Sequence, residues 1–350
     1  MYEATRNVLG LMSGTSLDGM DAALVRFKEE ETLRFELLDF YHFPYPKALK
    51  ILAEKAFFDR NLLTELDERF ADWTIEVIKS VQSRSAHTFN IVGSHGQTVF
   101  HHPAQKSTVQ AGNLPRIATE TGYTLVTNFR MQDVLLGGQG APLVPFGDHR
   151  LFGEYEAALN LGGFGNVSIG QPYLRDGVKE AFDVCPVNRV LNVFANELGH
   201  EYDHNGDCAR KGRINSWVLE ELDSLAFYEQ SAPKSLGSEW VEDVFLPLVD
   251  YLDHKDALAT VVEHIAGQIT EVLGSRKTLV TGGGAFNGYL MQRMQLRGAN
   301  IHIPEKQLVE AKEAVIFALL AHERILGKPN VIGTTTGSGI WHSSGCIFQP

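Results

Sequence analysis

"VLGLMSGTSLDGMDAALV" (residues 8–25) and "AALNLGGFGNVSIG" (residues 157–170) share one plan, and that plan decides the fold. In each, an apolar run breaks into glycines and small polar residues, then resumes as a second apolar run. The first stretch predicts strands over Val8–Met12 and Asp21–Phe27 joined by a polar loop. The second predicts the same strand, turn, strand. A hairpin near the start of each half predicts duplication into two similar domains with a cleft between them. A Rossmann enzyme differs, because its glycine loop joins a strand to a helix.

Working outward, strands alternate with helices, which predicts an α/β protein. "TELDERFADWTIEVIKSV" (residues 64–81) sets Leu66, Phe70, Trp73, Val77 and Val81 at helical spacing, with Thr64 as N-cap and Asp67 as a weak capping-box partner. "FNIVGSHGQTVFHH" (residues 89–102) is a short buried strand ending in a polar loop. "GGQGAPLVPFG" (residues 137–147) is dense in glycine and proline, so it reads as loop and as the domain crossover. "KEAFD" is a further strand, and "PVNRVLNVFANELG" is a helix with Pro186 in its first turn. Leu258–Leu273 and Leu308–Leu326 are long helices, and "NIHIP" is a strand. The expected domains are residues 1–135 with the tail 327–350, and residues 136–326.

The chain has 350 residues, enough for two cores, with 44% hydrophobic and 21% charged residues. A net charge of −12 disfavours nonspecific binding to nucleic acid or anionic lipid. Three widely spaced cysteines give no disulfide framework, and no apolar run approaches a membrane span of roughly 18 residues. A soluble, cytoplasmic enzyme is the expectation.

Three loops follow apolar strands: Gly14-Thr15-Ser16-Leu17-Asp18-Gly19, Gly162-Gly163-Phe164-Gly165-Asn166, and Gly282-Gly283-Gly284-Ala285-Phe286-Asn287. Glycine lets backbone N–H groups approach a phosphate, and hydroxyls add donors. Singly, each loop reads equally as a tight turn or helix cap; together they point to a phosphate ligand. No GxxxxGK[ST] motif is present, so a nucleotide site is of another kind.

"GLMSGTSLDGMDAALV", "SHGQTVFHHP", "GGQGAPLVP", "NLGGFGNVS", "FDVCPVN", "APKSLGSE", "TGGGAFNGYLM" and "TGSGIWHSSGCI" occur in this order. In this the chain resembles the anhydro-N-acetylmuramic acid kinases nearly end to end. That resemblance implies two duplicated actin-like, ribonuclease H-like domains around an interdomain nucleotide cleft, the fold of sugar kinases, actins and Hsp70 chaperones. It also implies ATP and Mg²⁺, a homodimer, and a role in bacterial cell-wall recycling. The substrate, 1,6-anhydro-N-acetylmuramic acid, has no free 6-hydroxyl. Water must therefore attack C1 while O6 takes the γ-phosphoryl group, and the base acts on water.

Taken alone, Asp183 in "AFDVCPVN" suits an N-cap for the helix opening near Pro186. The resemblance makes it the catalytic base instead. It further implies that Gly14, Thr15, Ser16, Leu17, Asp18, Gly19, Met20 and Asp21 form the first phosphate loop, and Gly162, Gly163 and Asn166 the second. Gly282, Gly283, Gly284 and Asn287 would hold the adenosine end. Asp18 and Asp21 are the Mg²⁺ candidates, through water; otherwise they make a turn and solvate a strand edge. His95, Gln97, Arg130 and Asp133 are the sugar-binding candidates. Arg130 is suited to the lactyl carboxylate, with a surface salt bridge as its alternative.

Where the family commonly reads Asp-Thr-Gly-Pro-Gly-Asn, this chain has Asp183-Val184-Cys185-Pro186-Val187-Asn188. Two alternatives stay open: a levoglucosan-type anhydrosugar kinase, and a non-catalytic nucleotide-binding protein of the same fold. Cys185 lacks an assigned histidine partner and reads as packing. "SHGQTVFHH" lacks the carboxylate or cysteine that a zinc site needs. "DHNGDCARKGRI" lacks the glycine and glutamate of a calcium loop.

Overall fold

The computed structural model describes residues 5–170 and 178–350. The chain divides into two compact units, Met1–Leu151 with Ala311–Pro350, and Phe152–Glu310.

In the first unit, β1 (Thr5–Ser13), β2 (Gly19–Glu29) and β3 (Leu33–Pro44) form an antiparallel meander. β4 (Ile91–Ser94) lies parallel to β1. A separate hairpin, β5 (Gln97–His102) with β6 (Ser107–Ala111), precedes β7 (Thr124–Thr127), which lies parallel to β4. The sheet order is β3-β2-β1-β4-β7, closed by the antiparallel strand Cys346–Phe348 outside β7. The helix Leu63–Arg84 buries Leu66, Phe70, Trp73, Val77 and Val81 in this core, the stripe its spacing predicted. Glycines in the central strands let a second helix close on the sheet. A Cβ on Gly10 would strike the Ala314 backbone, and one on Gly93 the Phe317 carbonyl, both in the helix Lys306–Ile325.

The second unit repeats the order. β8 (Ala157–Leu161) pairs antiparallel with β9 (Phe164–Gly170), and β9 pairs antiparallel with β10 (Val178–Pro186). β11 (Thr278–Thr281) runs parallel to β8, and β12 (Ile301–His302) parallel to β11, giving β10-β9-β8-β11-β12. The helix His254–Leu273 is buried from Ala257 to Ala266 and packs against β10 and the helix Asn188–Glu197. Five strands of the first sheet repeat the order of the five in the second, each set opened by a hairpin, which is the duplicated ribonuclease H-like plan of an α/β protein. Among the described residues no helix is long and apolar enough to cross a membrane.

Several local expectations change. Thr64 is not an N-cap: the helix begins at Leu63, and Asp67 instead accepts the Gly112 N–H at 2.6 Å. The glycine-proline stretch 137–147 is not loop throughout, because the helix Val144–Leu151 starts within it. Packing of Gly147 against Ile316 ties that helix to the first unit. The units therefore divide after Leu151 and before Ala311, not at 135/136 and 326/327. Pro186 ends β10, and its helix starts at Asn188.

Candidate active site

Asp183 lies within β10, three residues before its end, where a register shift between Asp183 and Cys185 interrupts the ladder. The Asp183 carboxylate caps no helix. The cap of Asn188–Glu197 is Val187, without a side-chain bond, and Asp183 Oδ2 instead accepts the Leu236 N–H at 2.9 Å. The group is half-buried; burial raises its proton affinity and the Leu236 bond partly offsets that. Asp183 stands in register with Asn166, and Asn166 with Asn160, so three polar residues form a row across β10, β9 and β8.

That row leads to the glycine loops. The Gly162 and Gly163 carbonyls accept the first N–H groups of the neighbouring helix: Asn188 N–H at 3.2 Å on Gly162, Val187 at 2.9 Å and Arg189 at 3.0 Å on Gly163. The turn is thereby fixed to the helix start. Gly282 has φ +83°, and a Cβ there would come within 2.6 Å of Asn160 Oδ1 and 2.8 Å of the Leu161 backbone. Only glycine allows the second and third loops to meet this closely. Asn287 Oδ1 accepts the Leu290 N–H at 3.0 Å and caps the helix Gly288–Leu296. Beside these loops lies a cavity of about 480 Å³, lined by Asn188, Tyr202, Asn205, Gly283, Phe286 and Lys306 among others. Its polar groups, two exposed aromatic side chains (Tyr202 and Phe286) and glycine lining suit a nucleoside. Tyr202 and Asn205 share one segment while Phe286 and Lys306 come from two others, so no single sequence window signals the four together.

In the first unit, the loop between β1 and β2 is a turn held by its own residues. Leu17, at φ +52°, donates its N–H to the Gly14 carbonyl at 3.3 Å and buries its side chain. Asp18 Oδ1 accepts the Gly19 N–H and the Ser16 hydroxyl, each at 2.9 Å. Thr15, Ser16 and Asp18 remain exposed, whereas the Met20 side chain is in the core. Of the predicted loop, Leu17 and Met20 thus offer no side chain to a ligand, because apolar packing anchors the turn. Asp21 Oδ1 lies 2.8 Å from His42 Nδ1. Among the described residues no three acidic, histidine or cysteine side chains converge as a metal cage. The exposed Asp18 and partly buried Asp21 fit a cation held mainly by phosphate and water.

The buried His95 and the half-buried Arg130 form a hydrogen-bonded unit. Arg130 Nε and Nη2 lie 3.1 and 2.9 Å from His95 Nε2, and Arg130 Nη1 donates to the Gly140 carbonyl at 2.8 Å. His95 Nδ1 lies 3.1 Å from the Ser13 carbonyl, so Nδ1 carries the proton and Nε2 accepts. Burial and the Arg130 charge push His95 down to about 3. Burial lowers Arg130 to about 10, opposed by Glu313. Arg130 is therefore charged at neutral pH, and among the described residues it is held by His95 and the Gly140 carbonyl in place of the surface salt bridge foreseen as its alternative.

Two sugar candidates turn inward. Asp133 is 0% exposed, accepting the Gly140 N–H at 2.7 Å and the Thr336 hydroxyl at 2.6 Å. Gln97 is likewise 0% exposed; its Oε1 accepts the Ser13 hydroxyl at 2.7 Å. Both hold loops and have no surface for a ligand. Sequence reading passed over Glu313, whose proton affinity burial raises beside Lys312, Arg130, Asp21 and Asp148. Its one signal was charge at Lys312 and Glu313 within a long apolar helix.

Val184, Cys185 and Val187, the departures from the family pattern beside Asp183, are all at most 2% exposed and belong to the second unit's core. Burial raises the Cys185 thiol, which fits packing and not nucleophilic chemistry.

A family model for "Anhydro-N-acetylmuramic acid kinase" matches residues 6–350. The chain is 36% identical over 367 residues to the anhydro-N-acetylmuramic acid kinase of Aliivibrio fischeri, covering 97% of this chain and 98% of that protein. It is 34% identical to the protein of the same name from Caldanaerobacter subterraneus subsp. tengcongensis, covering 95% and 94%. Among solved structures, (R)-2-hydroxyglutaryl-CoA dehydratase component A of Acidaminococcus fermentans is similar at a TM-score of 0.46 and 14% identity, covering 92% of this chain and 99% of that one.

Proposed function

The chain belongs to the anhydro-N-acetylmuramic acid kinase family, and from that premise we propose how its residues carry the reaction. ATP phosphorylates O6 of 1,6-anhydro-N-acetylmuramic acid while water opens the bridge, giving N-acetylmuramic acid 6-phosphate and ADP. Asp183 takes one proton from water as its oxygen bonds C1. The C1–O6 bond breaks, and O6 receives the γ-phosphoryl group. The observation that carries this reading is the Asp183 carboxylate itself: half-buried, at a break in strand register, committed to one backbone N–H and to no helix cap.

The second and third glycine loops, with Asn287 and the adjoining cavity, hold the nucleotide; Thr15, Ser16 and the surrounding backbone of the first loop meet its phosphates. Asp18 and Asp21 would hold Mg²⁺ through its waters, and the ion would supply neutralisation of phosphate charge. Arg130, preset by His95, pairs with the lactyl carboxylate. A cytoplasmic homodimer serving peptidoglycan recycling completes the reading, supported by the family and by the need for ATP.

The experiment incubates the protein with ATP and, separately, anhydro-N-acetylmuramic acid and levoglucosan. The expected product is N-acetylmuramic acid 6-phosphate from the first sugar only. Turnover of levoglucosan alone, or ATP binding with no phosphosugar, overturns the assignment.

A further inference from the structure

The segment 232–239 is tied to Asp183 at two points. Asp183 N–H donates to the Lys234 carbonyl at 3.0 Å, and the Leu236 N–H donates to Asp183 Oδ2 at 2.9 Å. The second bond touches the carboxylate assigned to catalysis. What holds this segment is the Lys234 ammonium, which donates to the Phe227 and Tyr228 carbonyls at 3.1 and 3.3 Å. It also lies 4.7 Å from the Phe227 ring centroid and 6.0 Å from that of Phe182. Tyr228 is fixed in turn, its hydroxyl 2.8 Å from His264 Nε2 and His264 Nδ1 2.6 Å from Asp223 Oδ1.

We infer that Lys234 is a positioning residue, clasping segment 232–239 so that the Leu236 N–H orients Asp183 and stabilises its ionised form. The inference rests on Asp183 being the base. A partly buried ammonium loses hydration, and two carbonyls with two aromatic faces replace it. An apolar side chain of similar length would fill the space but release both carbonyls. The loop would then loosen, and with it the donor on Asp183. Among the described residues, the titratable group that faces Asp183 is Cys185, on its own strand; Lys234 and Tyr228 interact with Cys185. Burial raises Cys185 and Tyr228, so both stay protonated and neutral through the working range.

The test is the pH profile of kcat/KM for anhydro-N-acetylmuramic acid, at saturating ATP, in Lys234→Met, Lys234→Gln and Lys234→Arg. Losing one hydrogen bond to a carboxylate is expected to move the acid limb of Lys234→Met up by about one pH unit and lower kcat about 10-fold. The ATP dissociation constant stays unchanged. Lys234→Arg keeps a cation on the carbonyls and holds the limb near its original position. If the methionine variant does not fold, the same limb is read in Lys234→Gln. A folded variant with the original limb overturns the inference, as does an equal shift in Lys234→Arg, or failure of both neutral variants to fold. Asp183→Asn separates the two claims. If it retains full turnover the base assignment fails, whereas an inactive Asp183→Asn beside an unshifted Lys234→Met leaves the base standing and removes the clasp alone.

Discussion

Asp183 needs its proton gone to act, and burial makes the carboxyl hold that proton more tightly. Activity should therefore fall as pH drops through a value above the ordinary carboxylate range, about 4. A pH–rate profile with no acid limb above that value would speak against the assignment. His95 carries the opposite sign. Its folded affinity is depressed from 6.5 to about 3, so the unfolded chain binds the extra proton first as pH falls. Stability should decline between those values, and His95→Gln should flatten the decline in Tm measured against pH. Arg130→Ala should raise KM for the sugar at least about 10-fold, the value of a lost charged hydrogen bond, without changing the ATP dissociation constant. At this scale the sequence told residue types but not their direction. Asp133 and Asp183 look alike as isolated acids; only tertiary hydrogen bonds show one spent on Gly140 and Thr336 and the other left half-open.

Elements were more legible than side chains, because periodicity and glycine placement act locally. Both hairpins, the helix over Leu63–Arg84 and the strand Thr278–Thr281 with the glycine loop after it follow from pattern alone. β3 did not stand out: Leu33, Phe35 and Leu37 alternate with Arg34 and Glu36, but Leu38, at the register shift, breaks the alternation. The helix Val144–Leu151 was masked by Pro145 and Gly147, which local rules read as loop; packing on Ile316 overrides them. Close packing also sets an expected cost. Gly10→Ala drives a methyl into the Ala314 backbone and should destabilise the protein by about 1–3 kcal/mol, read by denaturant unfolding. Gly282→Ala, at φ +83° against Asn160 and Leu161, should weaken ATP binding more than sugar binding. Equal weakening of both, by calorimetry, would detach that loop from the nucleotide.

Across the whole molecule, two sheets that share one five-strand order account for the paired hairpins, and the second unit carries both the row ending at Asp183 and the cavity beside the glycine loops. The unit boundaries escaped the sequence because the helix Lys306–Ile325 is one uninterrupted element, with no composition shift where its residues change unit. The departures at Val184, Cys185 and Val187 looked like a threat to substrate choice, yet they fill the core. The most direct measurement is a single turnover in ¹⁸O water, quenched before the anomeric oxygen exchanges, with the native protein and Asp183→Asn. The account predicts one ¹⁸O at C1 of the 6-phosphosugar and none in the phosphoryl group, formed about 10²–10⁴-fold more slowly by the variant. Label in the phosphoryl group, or an undiminished rate in Asp183→Asn, would contradict it.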